Sequence, residues 1–285
     1  MKLSSQPSPA SFAVATASAI FLIAGCSQNT GSGLNQSPNS FSSHGDIYYL
    51  DGAGGGGVIS NWGYGVKEGM KMAGFNGKFV EPHWETGMGV FADQVASDAY
   101  KRQKAGDCAA MIRKARAAYP DAPITLMGLS AGTAVAVFTL EALPPGCQVD
   151  NVVLLGASIG DDYDLCKALQ HVSGRMYVFT SENDAVLNFA VPVAGTADRQ
   201  AGTIPSAGLN GFTLPAGASP KTCRMYAKIT NIAWRTSFEN DGDWGGHTDT
   251  THPRFVRDFI APLVLQTGPQ YMHPNRLAPS QRAVS

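Results

Sequence analysis

A serine stands between two glycines in Gly128-Leu129-Ser130-Ala131-Gly132, where a short apolar run meets a second apolar run. A sharp strand-to-helix turn lifts such a hydroxyl clear of its neighbours, as a nucleophile requires, and the small flanking residues let the helix approach the sheet. With 32 glycines in the chain the pattern has weight only if partners exist. His247, in the loop Asp243-Trp244-Gly245-Gly246-His247, is a candidate base because nearby glycines allow close approach. His252 is the rival, although its place directly before Pro253 suits a helix start. Asp184, in Thr180-Ser181-Glu182-Asn183-Asp184, is a candidate to accept the ring N–H of a histidine and fix its tautomer. The plainer reading is a turn aspartate capping a short helix at Ala185. Asp161, Asp162 and Asp164 are reserve acids. The Asp- and His-rich stretch from Asp241 to His252 lacks H-E-x-x-H or comparable ligand spacing, so no metal is expected.

These residues need a scaffold, and the hydrophobic periodicity outlines one. Strands are expected at Ile47–Leu50, Lys78–Glu81, Ile124–Met127, Val152–Leu155 and Arg175–Thr180, with alternation returning at Met225, Ala227 and Ile229. Helices are expected at Tyr64–Met72, Ser97–Tyr119, Thr133–Leu143 and from near Pro253, where Phe255, Phe259 and Leu263 share a face. Strands alternating with helices predict a three-layer α/β/α sandwich around a mostly parallel sheet. The segment Asn188–Thr222 has few regular signals and reads as a lid or a surface insertion.

The chain has 285 residues, 44% hydrophobic and 15% charged, enough for one domain with a sizeable core. Its 21 basic and 22 acidic residues give a net charge of −1 with no basic block, which argues against nucleic acid as a partner. At the start, Lys2 precedes an apolar run from Phe12 to Gly25, too short for a permanent membrane helix. That run ends Leu22-Ile23-Ala24-Gly25-Cys26, which resembles the lipobox of bacterial lipoproteins. The resemblance implies cleavage before Cys26, lipidation of its thiol and a membrane tether outside the cytoplasm, and Ser27 points to the outer membrane or surface. The alternative is an ordinary secretory signal that contains a cysteine. The expected organisation is a signal at 1–25, a flexible tether at 26–45, a folded domain at 46–267 and a loosely ordered tail at 268–285. Cys108, Cys147, Cys166 and Cys223 suit either two disulfides or free thiols.

From Asp46 to Leu265 the chain resembles the α/β-hydrolase family of serine esterases and lipases. The residues that carry the resemblance are Gly128–Gly132, the glycine run after the first strand, Asp184, and Gly246-His247, in the order Ser, Asp, His. It implies an enzyme that cleaves carboxylic esters through an acyl-serine, with Ser130, Asp184 and His247 as triad and no cofactor. The Ala53 and Ala131 N–H groups are then the donors to the oxyanion.

The run Gly52-Ala53-Gly54-Gly55-Gly56-Gly57 also satisfies G-x-G-x-x-G, and Glu81 lies where a ribose-binding acid would in a dinucleotide-binding protein. That alternative stays open at this point. So does a catalytically silent relative that binds a component of the cell envelope. Trp62, Trp84 and Trp244 are candidate walls of an acyl or aromatic pocket.

Overall fold

The structure, a computed structural model, describes residues 44–57, 60–198 and 205–265. The expected signal at 1–25 with Cys26, all but the end of the tether, and the tail at 268–285 lie outside the described residues. Strands β1 (Asp46–Leu50), β2 (Lys78–Val80), β3 (Ile124–Leu129), β4 (Val149–Leu155), β5 (Val172–Thr180) and β6 (Ile229–Ala233) form one sheet in the order β2-β1-β3-β4-β5-β6. Every neighbouring pair is parallel.

Two apolar layers cover the sheet because side chains on successive strand residues point to opposite faces. Tyr48, Leu50, Leu126, Val152, Leu154 and Val178 face one layer, which includes helices α3 (Asp98–Ala118) and α4 (Gly132–Ala142). Ile47, Tyr49, Met127, Leu129, Val153, Leu155 and Phe179 face the other, which contains Val66 and Met70 of helix α1 (Trp62–Met72) and Phe255, Val256 and Ile260. Strands buried on both sides explain why β3 and β4 read as continuous apolar runs rather than alternating ones. The expected α/β/α architecture is therefore the observed one.

Between β1 and β3 the order of strands reverses direction, with Leu50 paired to Gly128 at the C-terminal end. Such a switch point opens a crevice above the sheet where ligands can enter. The loop after β1 and the turn after β3 flank it, so the glycine run and Ser130 lie side by side.

One expected strand start is corrected. Met225 belongs to a helix, Pro220–Tyr226, capped by the Ser219 side chain on the Thr222 N–H, and β6 begins only at Ile229. Proline at the first helical turn plus a serine cap outweighs three alternating apolar residues. A short helix α2 (Val90–Gln94) is also present. Part of the Asn188–Thr222 region is helical, at Val191–Ala194, Ala207–Asn210 and the start of Pro220–Tyr226. Among the described residues no helix is long and apolar enough to cross a membrane.

Candidate active site

Ser130 is the only non-glycine residue at positive φ among the described residues, with φ of 50°. A side chain in that left-handed region costs about 1–3 kcal/mol, so the surroundings must impose it. They do so through the backbone. The Ser130 N–H donates to the Leu155 carbonyl at 2.9 Å, and the Ser130 carbonyl accepts the N–H of Thr133 at 3.0 Å as α4 begins. The flanking glycines are sterically required: a Cβ on Gly128 would lie 2.8 Å from the Gly132 carbonyl oxygen, and one on Gly132 would lie 2.3 Å from that of Asp51.

His247 Nε2 lies 2.7 Å from Ser130 Oγ, and His247 Nδ1 lies 2.7 Å from Asp184 Oδ2. An ionised carboxylate can only accept, so Nδ1 carries the proton and the neutral ring leaves Nε2 to accept from the serine hydroxyl. Asp184 is buried, and its Oδ1 accepts the Leu187 N–H at 3.0 Å. The helix-capping role and the histidine contact thus coexist in one carboxylate, one oxygen each. All three side chains come from loops beyond C-terminal strand ends: after β3, after β5 and after β6.

The His247 loop is braced on both sides. Asp249 Oδ2 accepts the Gly246 N–H at 2.9 Å, Asp243 Oδ1 accepts the Gly245 N–H at 2.9 Å, and Ser181 Oγ donates to the Gly245 carbonyl at 2.8 Å. Burial pushes the Asp243 carboxyl up to about 6, opposed by the Gly245 N–H and helped by the nearby Asp249 charge. Gly156, just past β4, escaped the sequence reading although a glycine closing an apolar strand was a visible signal. A Cβ there would lie 3.3 Å from His247 Nδ1 and 3.5 Å from Asp184 Oδ2, so a side chain would press on the histidine–aspartate pair.

Residues 82–194 match a family model described as alpha/beta hydrolase. That stretch holds Ser130 and Asp184 but not His247. Among solved structures it is similar to one titled "A novel cutinase-like protein from Cryptococcus sp.", at 16% identity and a TM-score of 0.40, over 78% of this chain and 96% of that one. No curated protein matches.

The backbone donors on either side of Ser130 are distinctive. Gly52, Gly54, Gly55, Gly56 and Gly57 all donate their N–H groups within the protein, whereas those of Ala53 and Ala131 have no acceptor among the described residues. The donors a dinucleotide phosphate would use at Gly52, Gly54 and Gly56 are already taken by the carboxylates of Asp51 and Asp93. Those negative charges would also repel a phosphate. Glu81 is half-buried against Gly63, with its carboxyl pushed up by desolvation. The dinucleotide alternative is not supported.

Several other expected residues sit elsewhere in the fold. His252 packs its ring against Gly242 at the start of the Pro253 helix, and its Nδ1 has no hydrogen-bond partner among the described residues. Asp164 caps the Cys166 N–H, and neither it, Asp161 nor Asp162 bonds to His247. Trp84 is corrected as a pocket wall: it is buried and its indole N–H donates to the Asp51 carbonyl at 2.8 Å, bracing the glycine run from beneath. Trp62 opens α1 close to Gly52, while Trp244 is 59% exposed on the His247 loop. Cys108, Cys147, Cys166 and Cys223 are all free thiols.

Proposed function

We propose that this chain is an extracytoplasmic serine hydrolase of carboxylic esters, with Ser130, His247 and Asp184 as its triad and the Ala53 and Ala131 N–H groups as oxyanion donors. The observation that carries the reading is the continuous chain of 2.7 Å contacts from Ser130 Oγ through the imidazole to the Asp184 carboxylate. The two unclaimed N–H groups on either side of that hydroxyl support it.

His247 Nε2 takes the hydroxyl proton as Ser130 Oγ bonds to the ester carbonyl carbon, and the carbonyl electron pair moves onto oxygen. Asp184 holds the ring's orientation and stabilises the imidazolium. The oxyanion sits against Ala53 and Ala131, where one well-placed donor typically contributes about 3–4 kcal/mol to the transition state. As the pair returns, the bond to the alcohol breaks and His247 protonates the departing oxygen. Water then gives a proton to His247, attacks the acyl carbon and releases the acid, while Ser130 regains its proton. Ester and water become acid and alcohol.

An apolar group on the ester fits the rim of the site. Met88 and Phe91 are 82% and 71% exposed, and Val90 beside them lies against Gly54 of the glycine run. Trp244 extends the same character on the base side. Export and a lipid anchor at Cys26 belong to the proposal on the strength of the Leu22–Cys26 pattern. Labelled palmitate should enter the protein in cells and be absent from Cys26→Ser.

The decisive experiment treats purified protein with a fluorophosphonate and maps the adduct by mass spectrometry beside Ser130→Ala. An adduct on Ser130 with turnover of an activated ester is expected. An unlabelled protein without turnover would instead be the silent, envelope-binding relative, and loss of activity in His252→Ala but not His247→Ala would overturn the assigned base.

A further inference from the structure

The freedom of the Ala53 N–H is constructed by its neighbours. On one side the Gly52 N–H donates to Asp51 Oδ1 at 2.9 Å, and on the other the Gly54 N–H donates to Asp93 Oδ2 at 2.8 Å. The Gly55 N–H reaches back to the Gly52 carbonyl at 2.9 Å. That carbonyl belongs to the same peptide plane as the Ala53 N–H and points the opposite way, so fixing the one aims the other. Asp93 is the most distant member of this clamp, 39 residues from Gly54 in the chain and fully buried in α2.

We propose that Asp93 is a positioning residue for ester hydrolysis: its carboxylate holds Gly54 so that the Ala53 N–H faces the oxygen that gains charge. The inference rests on the function proposed above. Asp93 Oδ1 accepts both the N–H and the hydroxyl of Thr86, and Oδ2 accepts Gly54, so both oxygens act as acceptors. No Lys, Arg or His pairs with it among the described residues. A buried, uncompensated carboxylate is costly, and it is retained where several donors must be gathered at once. An asparagine cannot replace it, because one of its two heads would present N–H to a donor. The far end of α2 is anchored as well: the buried Lys101 ammonium donates to the Gln94 carbonyl at 2.9 Å and the Ala197 carbonyl at 2.7 Å. The clamp therefore transmits the placement of α2 to the glycine run, and hence to the oxyanion donor.

The test compares wild type, Asp93→Asn and Thr86→Val on an activated p-nitrophenyl ester, with kcat expressed per site titrated by a fluorophosphonate. Asp93→Asn should lower kcat per titrated site about 10–100-fold, because small misplacements of a donor have effects of that order. KM should stay within about twofold and the pH profile should keep its shape. Affinity for a trifluoromethyl ketone should fall in parallel with kcat. Thr86→Val, which removes one of the donors that hold the carboxylate, should move the same quantities in the same direction by about threefold. A purely structural role would lower only the fraction of titratable sites; unchanged kcat per site in Asp93→Asn overturns the proposal. If that variant does not fold, unchanged kcat in Thr86→Val does so. Wild type without turnover or adduct defeats the function itself, a result distinct from either.

Discussion

The turn that bears Ser130 and the loop that bears His247 are both rich in glycine, yet they are held by different forces. At Ser130 the constraint is backbone against backbone: a strained φ of 50°, carbonyls packed against Gly128 and Gly132, and main-chain hydrogen bonds. At His247 it is side chain to backbone, with Asp243, Asp249 and Ser181 each gripping the loop. The first arrangement has no slack and no charge. The second depends on ionisation and can relax.

Four changes would sharpen or break this contrast. The largest concerns the proposed base: Asp184→Asn, which removes the acceptor that fixes the His247 tautomer, should lower kcat by roughly 10⁴-fold with the fold intact by circular dichroism. Next, Gly132→Ala should destabilise by about 3 kcal/mol in urea unfolding, since its Cβ meets the Leu50 and Asp51 carbonyl oxygens at 2.4 and 2.3 Å. A destabilisation below about 1 kcal/mol would mean that the turn can yield after all.

The third change probes charge. The Asp243 carboxyl is raised from 3.8 to about 6, so the folded state holds that proton more tightly than the unfolded one. Its contribution is therefore most favourable below about pH 4 and is lost as pH rises through about 6. Asp243→Asn keeps an acceptor for Gly245 without the titration. Relative to wild type it should gain up to about 3 kcal/mol between pH 4 and pH 7, measured by chemical unfolding at both values. A constant difference across that range would show that this carboxylate does not titrate there. The smallest effect is on stability: Ser130→Gly should raise it by about 1 kcal/mol by relieving the left-handed backbone. His247→Gly should bring no such gain.

Local signals made part of this molecule readable in its sequence. Buried parallel strands are short apolar runs, and β3 and β4 announced themselves as such, as did the long α3 with its Ser97 cap. Ser130, Asp184 and His247 were each marked by glycines or a strand end, and the structure brings those three together while leaving His252 against Gly242. What stayed hidden depends on tertiary contact. Helix α2 has five residues and no side-chain cap, too little for any periodicity, yet its Asp93 meets Gly54. Trp84 reads like a loop aromatic until its indole is seen beneath Asp51. Gly156 matters only because the histidine and the aspartate converge on it from elsewhere.

The parallel sheet carries a kinetic consequence. His247 is 117 residues from Ser130 and 63 from Asp184 along the chain, so no short segment can bring the three side chains together by itself. Non-local pairings of this kind form late and slowly during folding. On dilution from denaturant, helical signal should return first and the proposed ester hydrolysis last, making recovered turnover a clock for closure of β5 and β6 onto the rest of the sheet.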